Sequence, residues 1–238
     1  MGLNPALIVA SGNVVAVAAR RATSTIPIVF VIASDPVKIG LARSLAHSGG
    51  NTTGVSMLTA TLTLKRLELI REFLPPQATV GLLVNPDNNE LLLEIEEIAR
   101  STGQALEVAK ARNPNDLEPA FAQLVRAKVG AVLVGNDAGF FGQRTQIVAL
   151  AKRYSLPTTY EFREFCAVGG LMSYGPSLAG AFQRAGSYAA LILKGAQPSD
   201  LPIEQPTEFE LVINSTTARS LGIQIPPSLL LRANEVID

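Results

Sequence analysis

Gly169-Gly170-Leu171-Met172-Ser173-Tyr174-Gly175 is the stretch whose reading decides the fold. Before it stands a charged and aromatic loop, Tyr160-Glu161-Phe162-Arg163-Glu164-Phe165, at the end of an apolar run. After it comes a helix-length segment, Ala181 to Lys194, and then a last strand and helix. A glycine-rich joint between regular elements, flanked by aromatic and acidic side chains, is where a two-lobed α/β protein opens a ligand cleft.

Outward from that joint the chain is built of short, continuous apolar runs: Ala6–Ala10, Ile28–Ala33, Val80–Val84, Val129–Val134 and, more weakly, Pro157–Tyr160. Continuous rather than alternating runs suit strands covered on both faces, as in parallel sheets. Helix-length segments separate most of them, so the spacing predicts repeated βαβ units. The expected helices are Val14–Arg21, Lys38–Ala46, Thr63–Phe73, Glu90–Thr102, Asp116–Ala127, Phe141–Tyr154, Ala179–Leu193 and Ser215–Leu221. Leu67, Ile70 and Leu74 form one apolar stripe that Pro75-Pro76 ends. Asn88 or Asn89 is placed to cap the helix carrying Leu92, Ile95 and Ala99, with Gly103 as its exit.

The chain has 238 residues, 47% of them hydrophobic, enough for one large or two small cores. Lys+Arg and Asp+Glu number 20 each, so the basic stripe of a nucleic-acid surface is missing. One cysteine, Cys166, cannot close an internal disulfide and leaves the redox compartment open. Leu7–Ala19 is apolar but has no basic residues before it and is interrupted by Ser11-Gly12-Asn13, which argues against a signal peptide. A strand, a turn and a helix fit it better. A central strand this near Met1 leads us to expect that upstream units are missing.

In open α/β sheets the carboxyl ends of the strands carry the binding residues. Those ends read Ser11-Gly12-Asn13, Ser34-Asp35-Pro36, Asn85-Pro86-Asp87-Asn88 and Gly135-Asn136-Asp137. Two roles stay open for each: a helix cap or turn former, or a ligand group. Helix-start N–H groups there suit a carboxylate, and Asp35 or Asp137 an ammonium. The candidate ligand-binding residues are Ser11, Asn13, Asp35, Thr53, Asn85, Asp137, Glu161, Phe165 and Tyr174. Thr53 belongs to a turn that resets the chain into a short extended piece. Glu161, Phe162 and Phe165 either line a cleft or anchor their loop.

Catalytic patterns are missing. His47 is the only histidine, placed at the end of the Lys38–Ala46 helix, so a multi-histidine metal site is excluded. No histidine stands near Cys166, and neither a phosphate-binding loop nor a Gly-x-Gly-x-x-Gly fingerprint occurs. No catalytic residue, metal or cofactor is expected.

Ser24-Thr25-Ile26-Pro27-Ile28-Val29-Phe30, Asp35-Pro36 and Gly49-Gly50-Asn51-Thr52-Thr53-Gly54 together resemble ABC-transporter substrate-binding proteins of the tryptophan/tyrosine-binding type. So do Lys65-Arg66-Leu67-Glu68-Leu69, Asn85-Pro86, the Gly169–Gly175 stretch and Ile192-Leu193-Lys194-Gly195-Ala196. Phe209-Glu210-Leu211-Val212-Ile213-Asn214 and Ile225-Pro226-Pro227 extend the likeness to the end of the chain. The resemblance implies the type 1 periplasmic-binding-protein fold: α/β, two interleaved three-layer lobes with largely parallel sheets, closing on a small solute. It further implies a periplasmic protein, a membrane permease as partner, and no chemistry of its own. The lobes are expected at 1–58 with 174–202 and at 59–173 with 203–238.

The chain departs from such proteins at its start, where a secretion signal and two βα units are expected but absent. The first lobe is therefore expected to be incomplete, with an open sheet edge that invites a homodimer. As given, without a signal, the chain would stay in the cytoplasm. The other function class is a ligand-sensing or scaffolding remnant of the same fold whose main activity is self-association. No nucleic-acid partner is expected in either case.

Overall fold

The computed structural model describes residues 5–88, 97, 100, 103 and 105–238. In chain order the elements begin with β1 (Ile8–Ser11), α1 (Asn13–Ala22), β2 (Ile28–Ile32), β3 (Thr52–Ser56) and α2 (Thr63–Arg71). They continue with β4 (Val80–Val84), β5 (Leu106–Lys110), α3 (Pro114–Arg126), β6 (Ala131–Val134), α4 (Ala138–Gly142) and α5 (Arg144–Arg153). Then come β7 (Thr158–Tyr160), α6 (Arg163–Ala167), β8 (Met172–Gly175) and α7 (Leu178–Leu193). The last are β9 (Glu210–Asn214), α8 (Ser215–Ser220), α9 (Pro227–Arg232) and β10 (Glu235–Ile237). The expected helix Glu90–Thr102 lies outside the described residues.

The chain divides into two compact units: Met1–Ala60 with Pro176–Glu208, and Thr61–Gly175 with Phe209–Asp238. The first holds a parallel sheet in the order β1-β2-β3. β2 is buried at every position, and both α1 and α7 pack on it. Ala10, Ala16, Ile28, Phe30, Ile32, Leu41 and Ile203 make its core. Residues 203–208 stay with this unit because the Ile203 N–H donates to the Leu45 carbonyl at 2.7 Å and the Glu204 N–H to that of Gly54 at 3.0 Å. Gly54 has φ +149°, and a Cβ there would strike the Phe30 main chain. That position in β3 therefore requires glycine.

The second unit holds the larger sheet, in the order β10-β9-β8-β7-β6-β4-β5, parallel throughout except where β8 meets β9. β4 is wholly buried, as its unbroken Val-Gly-Leu-Leu-Val run requires. Leu67 and Ile70 of α2 pack with Leu82, Leu133, Met172 and Ile213 from four strands. Each such side chain taken fully out of water contributes about 1.5–3 kcal/mol. Asn113 and Asp116 form a capping box ahead of α3, and Pro114 occupies its first turn, where no N–H is needed.

Three expectations need correction. No helix forms at Lys38–Ala46: the chain turns at Pro36–Gly40, and Gly40 enters the left-handed region at φ +76°. There the Asp35 carboxylate accepts from the Val37 and Lys38 N–H groups, closing a local turn instead of starting a helix. His47 accordingly sits in an exposed loop, where its N–H donates to the Ser44 hydroxyl at 3.1 Å. The single helix expected at Phe141–Tyr154 is two, α4 and α5, meeting at Gln143 (φ −97°, ψ 13°), and it starts earlier because Asp137 caps it.

Candidate functional site

Four loops leave the carboxyl ends of β4, β6, β7 and β8 in the larger unit, and three of them supply linked polar groups. The Asn85 side-chain amide donates to Asp137 Oδ2 at 3.0 Å. Asp137 Oδ1 accepts from the N–H groups of Gly139 (2.8 Å) and Phe140 (3.2 Å), which fixes the carboxylate at the head of α4. The Asn88 amide donates to the Asn136 carbonyl at 3.0 Å and ties the β4 and β6 loops together. With two bonds to Oδ1 and one to Oδ2, the Asp137 carboxylate retains acceptor capacity on Oδ2. Asp137 is half-buried, whereas Asn136 is 5% exposed and its side-chain Oδ1 has no hydrogen-bond partner among the described residues.

Glu161 follows β7 and is 5% exposed. Burial pushes its carboxyl up to about 8, against the pull of the Arg66 guanidinium from α2. The Asp137 carboxylate pushes the same way as burial, its N–H donates to Glu161 and pulls down, and Glu164 pushes up. Arg66 is itself fully buried, and its Nη2 donates to the Thr63 hydroxyl at 3.3 Å. The site thus holds a buried cation acting on a buried carboxyl that is raised toward its neutral form. On the main chain, Gly175 ends β8 so close to the Glu161 carbonyl that a Cβ would collide with it.

Aromatic rings pack on one another in the same unit. Phe165 is buried and stacks on Tyr160 with centroids 4.5 Å apart, and Phe141 meets it edge-on at 6.1 Å. Tyr174 is half-buried and lies 6.1 Å from the Phe209 ring. Phe165 therefore holds the loop in place, and Tyr174 keeps a partly open face. Cys166 is buried, its thiol is pushed up to about 12 by desolvation, and it donates to the Val212 carbonyl at 3.7 Å. Such a thiol stays protonated and unreactive at neutral pH.

In the smaller unit the candidates are engaged differently. Asn13 donates to the Ser34 hydroxyl at 2.7 Å and accepts from the Ala33 N–H at 3.1 Å, which clasps the start of α1 to the end of β2. Asp35 closes its own turn, with the Val37 N–H at 2.8 Å. Thr53 is fully buried and donates to the Leu201 carbonyl at 3.0 Å, a fastening within the core. Ser11 is exposed at the end of β1. The structure thus brings Asn85, Asp137 and Glu161 into one group in the larger unit, while Ser11, Asn13, Asp35 and Thr53 belong to the smaller one.

Sequence reasoning missed Arg66 and the role of Asn136. The signal for Arg66 was present: it lies four residues before Ile70 and three after Thr63, on the face of α2 that carries the apolar stripe. A charge there needs a buried counter-charge. Among the described residues no group of three or more His, Cys, Asp or Glu is placed to hold a metal ion.

The family model of ABC transporter substrate binding proteins matches residues 1–237. The tyrosine-binding protein of Clostridioides difficile (strain R20291) is 25% identical over 221 residues, 92% of this chain. The chain spans 63% of that relative's length. The crystal structure of an ABC domain from Streptococcus pneumonia in complex with L-Trp superposes with TM-score 0.83 at 27% identity, over 98% of this chain and 81% of that one. A conserved domain protein from Vibrio cholerae superposes with TM-score 0.84 at 29% identity, over 98% of this chain and 79% of that one. With the matched length, the bilobal parallel architecture and the type 1 periplasmic-binding-protein topology in agreement, the chain belongs to the ABC transporter substrate-binding protein family.

Proposed function

We propose that the protein binds a small zwitterionic solute, an aromatic amino acid in the first instance, for delivery to an ABC permease, and catalyses no reaction. The observation that carries this reading is the Asn85–Asp137–Glu161 group. Asp137 is oriented by three hydrogen bonds, keeps acceptor capacity on Oδ2 and is partly open to solvent. Such a carboxylate is a preorganised receptor for an ammonium group. Tyr174, half-buried in the same unit, offers the aromatic face. The L-Trp complex of one relative and the tyrosine-binding name of another favour aromatic amino acids over other zwitterions. Family membership carries an extracytoplasmic place of work.

A thermal-shift panel of L-tryptophan, L-tyrosine, L-phenylalanine and the branched-chain amino acids tests this. Ligand at a hundred times its Kd stabilises the folded state by about 2.7 kcal/mol, a readily measured shift. A flat response to every amino acid would remove this reading.

A second reading, self-association, is favoured by one edge. Among the described residues β1 is hydrogen-bonded to β2 alone, and Val9, Val14 and Val15 beside that edge are exposed. Open backbone groups flanked by valines suit pairing with a second copy of the chain. Light scattering at micromolar concentration decides it: a dimer supports this reading and a monomer removes it.

A further inference from the structure

We propose that the turn Ser48-Gly49-Gly50, with the Arg20 and Arg43 side chains against it, is a binding site for a tetrahedral oxyanion of the phosphate class. It belongs to the smaller unit and is independent of the solute-binding reading, which rests on residues of the larger one.

Main-chain donors and a hydroxyl are left over at this turn. Among the described residues the N–H groups of Ser48, Gly49 and Gly50 have no acceptor, while the Ser48 carbonyl accepts from the Arg43 N–H at 3.0 Å and closes the loop. Ser48 is 3% exposed, and its Oγ is buried with no partner among the described residues. Buried polar groups in this state are rare, because each has given up its bond to water for nothing. Gly49 stands in the left-handed region at φ +71°, directly after a serine of ordinary φ. A left-handed residue in such a turn swings successive N–H groups to one side, which is how main-chain anion sites are built.

Two guanidinium groups lie on the same turn. A Cβ on Gly49 would stand 2.6 Å from Arg43 Cδ and 3.0 Å from its Nε, and one on Gly50 would stand 3.4 Å from Arg20 Nη2. A side chain at Gly49 would therefore push Arg43 off the main chain. The Asn51 amide ties the turn to the end of α1 that carries Arg20, donating to the carbonyls of Thr23 at 3.2 Å and Ile26 at 2.7 Å. Neither guanidinium has a carboxylate or hydrogen-bond partner among the described residues, although Arg20 is half-buried. Arg21, exposed in the same last turn of α1, already faces the negative end of the helix, so that role does not account for Arg20. Within residues 5–60 the one acid is Asp35, which closes its own turn beyond β2, whereas Asn51 accepts from Ile28 at the start of that strand. Two arginine forks and a row of free N–H groups suit an anion with several oxygens, which arginine binds in bidentate fashion.

The test is an NMR titration of the ¹⁵N-labelled chain with inorganic phosphate, with sulfate, and with chloride at matched ionic strength, read on main-chain amides and arginine Nε–H groups. The expected result is saturable shifts of the Ser48, Gly49 and Gly50 amides and of the Arg20 and Arg43 Nε–H signals, all with one dissociation constant. Phosphate or sulfate produces them and chloride does not, and the two oxyanion arms show which is held more tightly. Arg20→Gln and Arg43→Gln each weaken binding about tenfold. Arg21→Gln, which removes the same charge one residue away, changes it less than about twofold. Shifts that grow without saturating, equal shifts from chloride, or a loss in Arg21→Gln as large as in Arg20→Gln overturn the site and leave a diffuse positive surface. The anion titrations are made on the unaltered chain, so a variant that folds poorly does not blunt the test. None of these outcomes bears on amino-acid binding, so failure here and failure of the solute-binding reading stay distinguishable.

Discussion

Gly175 closes β8 against the main-chain carbonyl of Glu161, and nothing larger than glycine fits between them. Gly175 is also the last residue of the larger unit before the chain crosses at Pro176. The acid of the candidate site thus rests on the strand end from which the chain leaves the unit.

Gly175→Ala is expected to displace the Glu161 backbone and destabilise the protein by about 1–3 kcal/mol, the usual range for forced overpacking. Chemical denaturation checks the stability. A variant as stable as the parent would show that the β7 and β8 ends yield freely.

Asn85→Ala removes the amide that orients Asp137. The lost bond to an ionised group is expected to cost about 1.5–3 kcal/mol of stability at most, and less where water replaces the amide. Solute affinity should fall about tenfold, measured by calorimetry, because the carboxylate loses its fixed direction.

Between its ordinary value and about 8, Glu161 binds more protons in the folded chain than in the unfolded one. Stability must then fall as pH rises through that window, by a few kcal/mol in all. Its contribution is complete at pH 4.5 and gone above pH 8. Denaturant midpoints between pH 5 and 8 should drop for the parent chain and stay more nearly level for Glu161→Gln. An upward slope in the difference between the two would contradict the placement of Glu161.

Asn113→Ala breaks the capping box of α3 without touching a residue of the Asn85–Asp137–Glu161 group itself. About 1 kcal/mol of stability should be lost with solute affinity unchanged, which makes it the control for the site variants.

How much of this was legible in the sequence depends on how local each cause is. β4 could be read to the residue because a strand buried on both faces has an unbroken apolar run. α7 and β9 were legible for similar reasons. β5 was not, since Leu106-Glu107-Val108-Ala109-Lys110 is an edge strand with a mixed pattern. The Lys38–Ala46 segment has helical composition, but Gly40 and the Asp35 turn override it. Polar residues at strand ends were visible as a class. Which of them meet was not, because the separation of 52 positions from Asn85 to Asp137 is closed only by the sheet order. Thr53 looked like a loop residue and lies in the core, since its hydroxyl finds Leu201 across 148 residues. Arg66 was hidden by its neighbours: between two leucines and a lysine it reads as one more surface charge, until α2 is laid on β6, β7 and β8.

The most direct measurement is the calorimetric affinity of the parent chain and of Asp137→Asn for L-tryptophan, L-tyrosine and L-phenylalanine at pH 8. The account predicts saturable 1:1 binding of at least one of them to the parent, and a loss of a hundredfold or more when the Asp137 charge is removed. Equal affinity of the two proteins, or no heat from either, would contradict it.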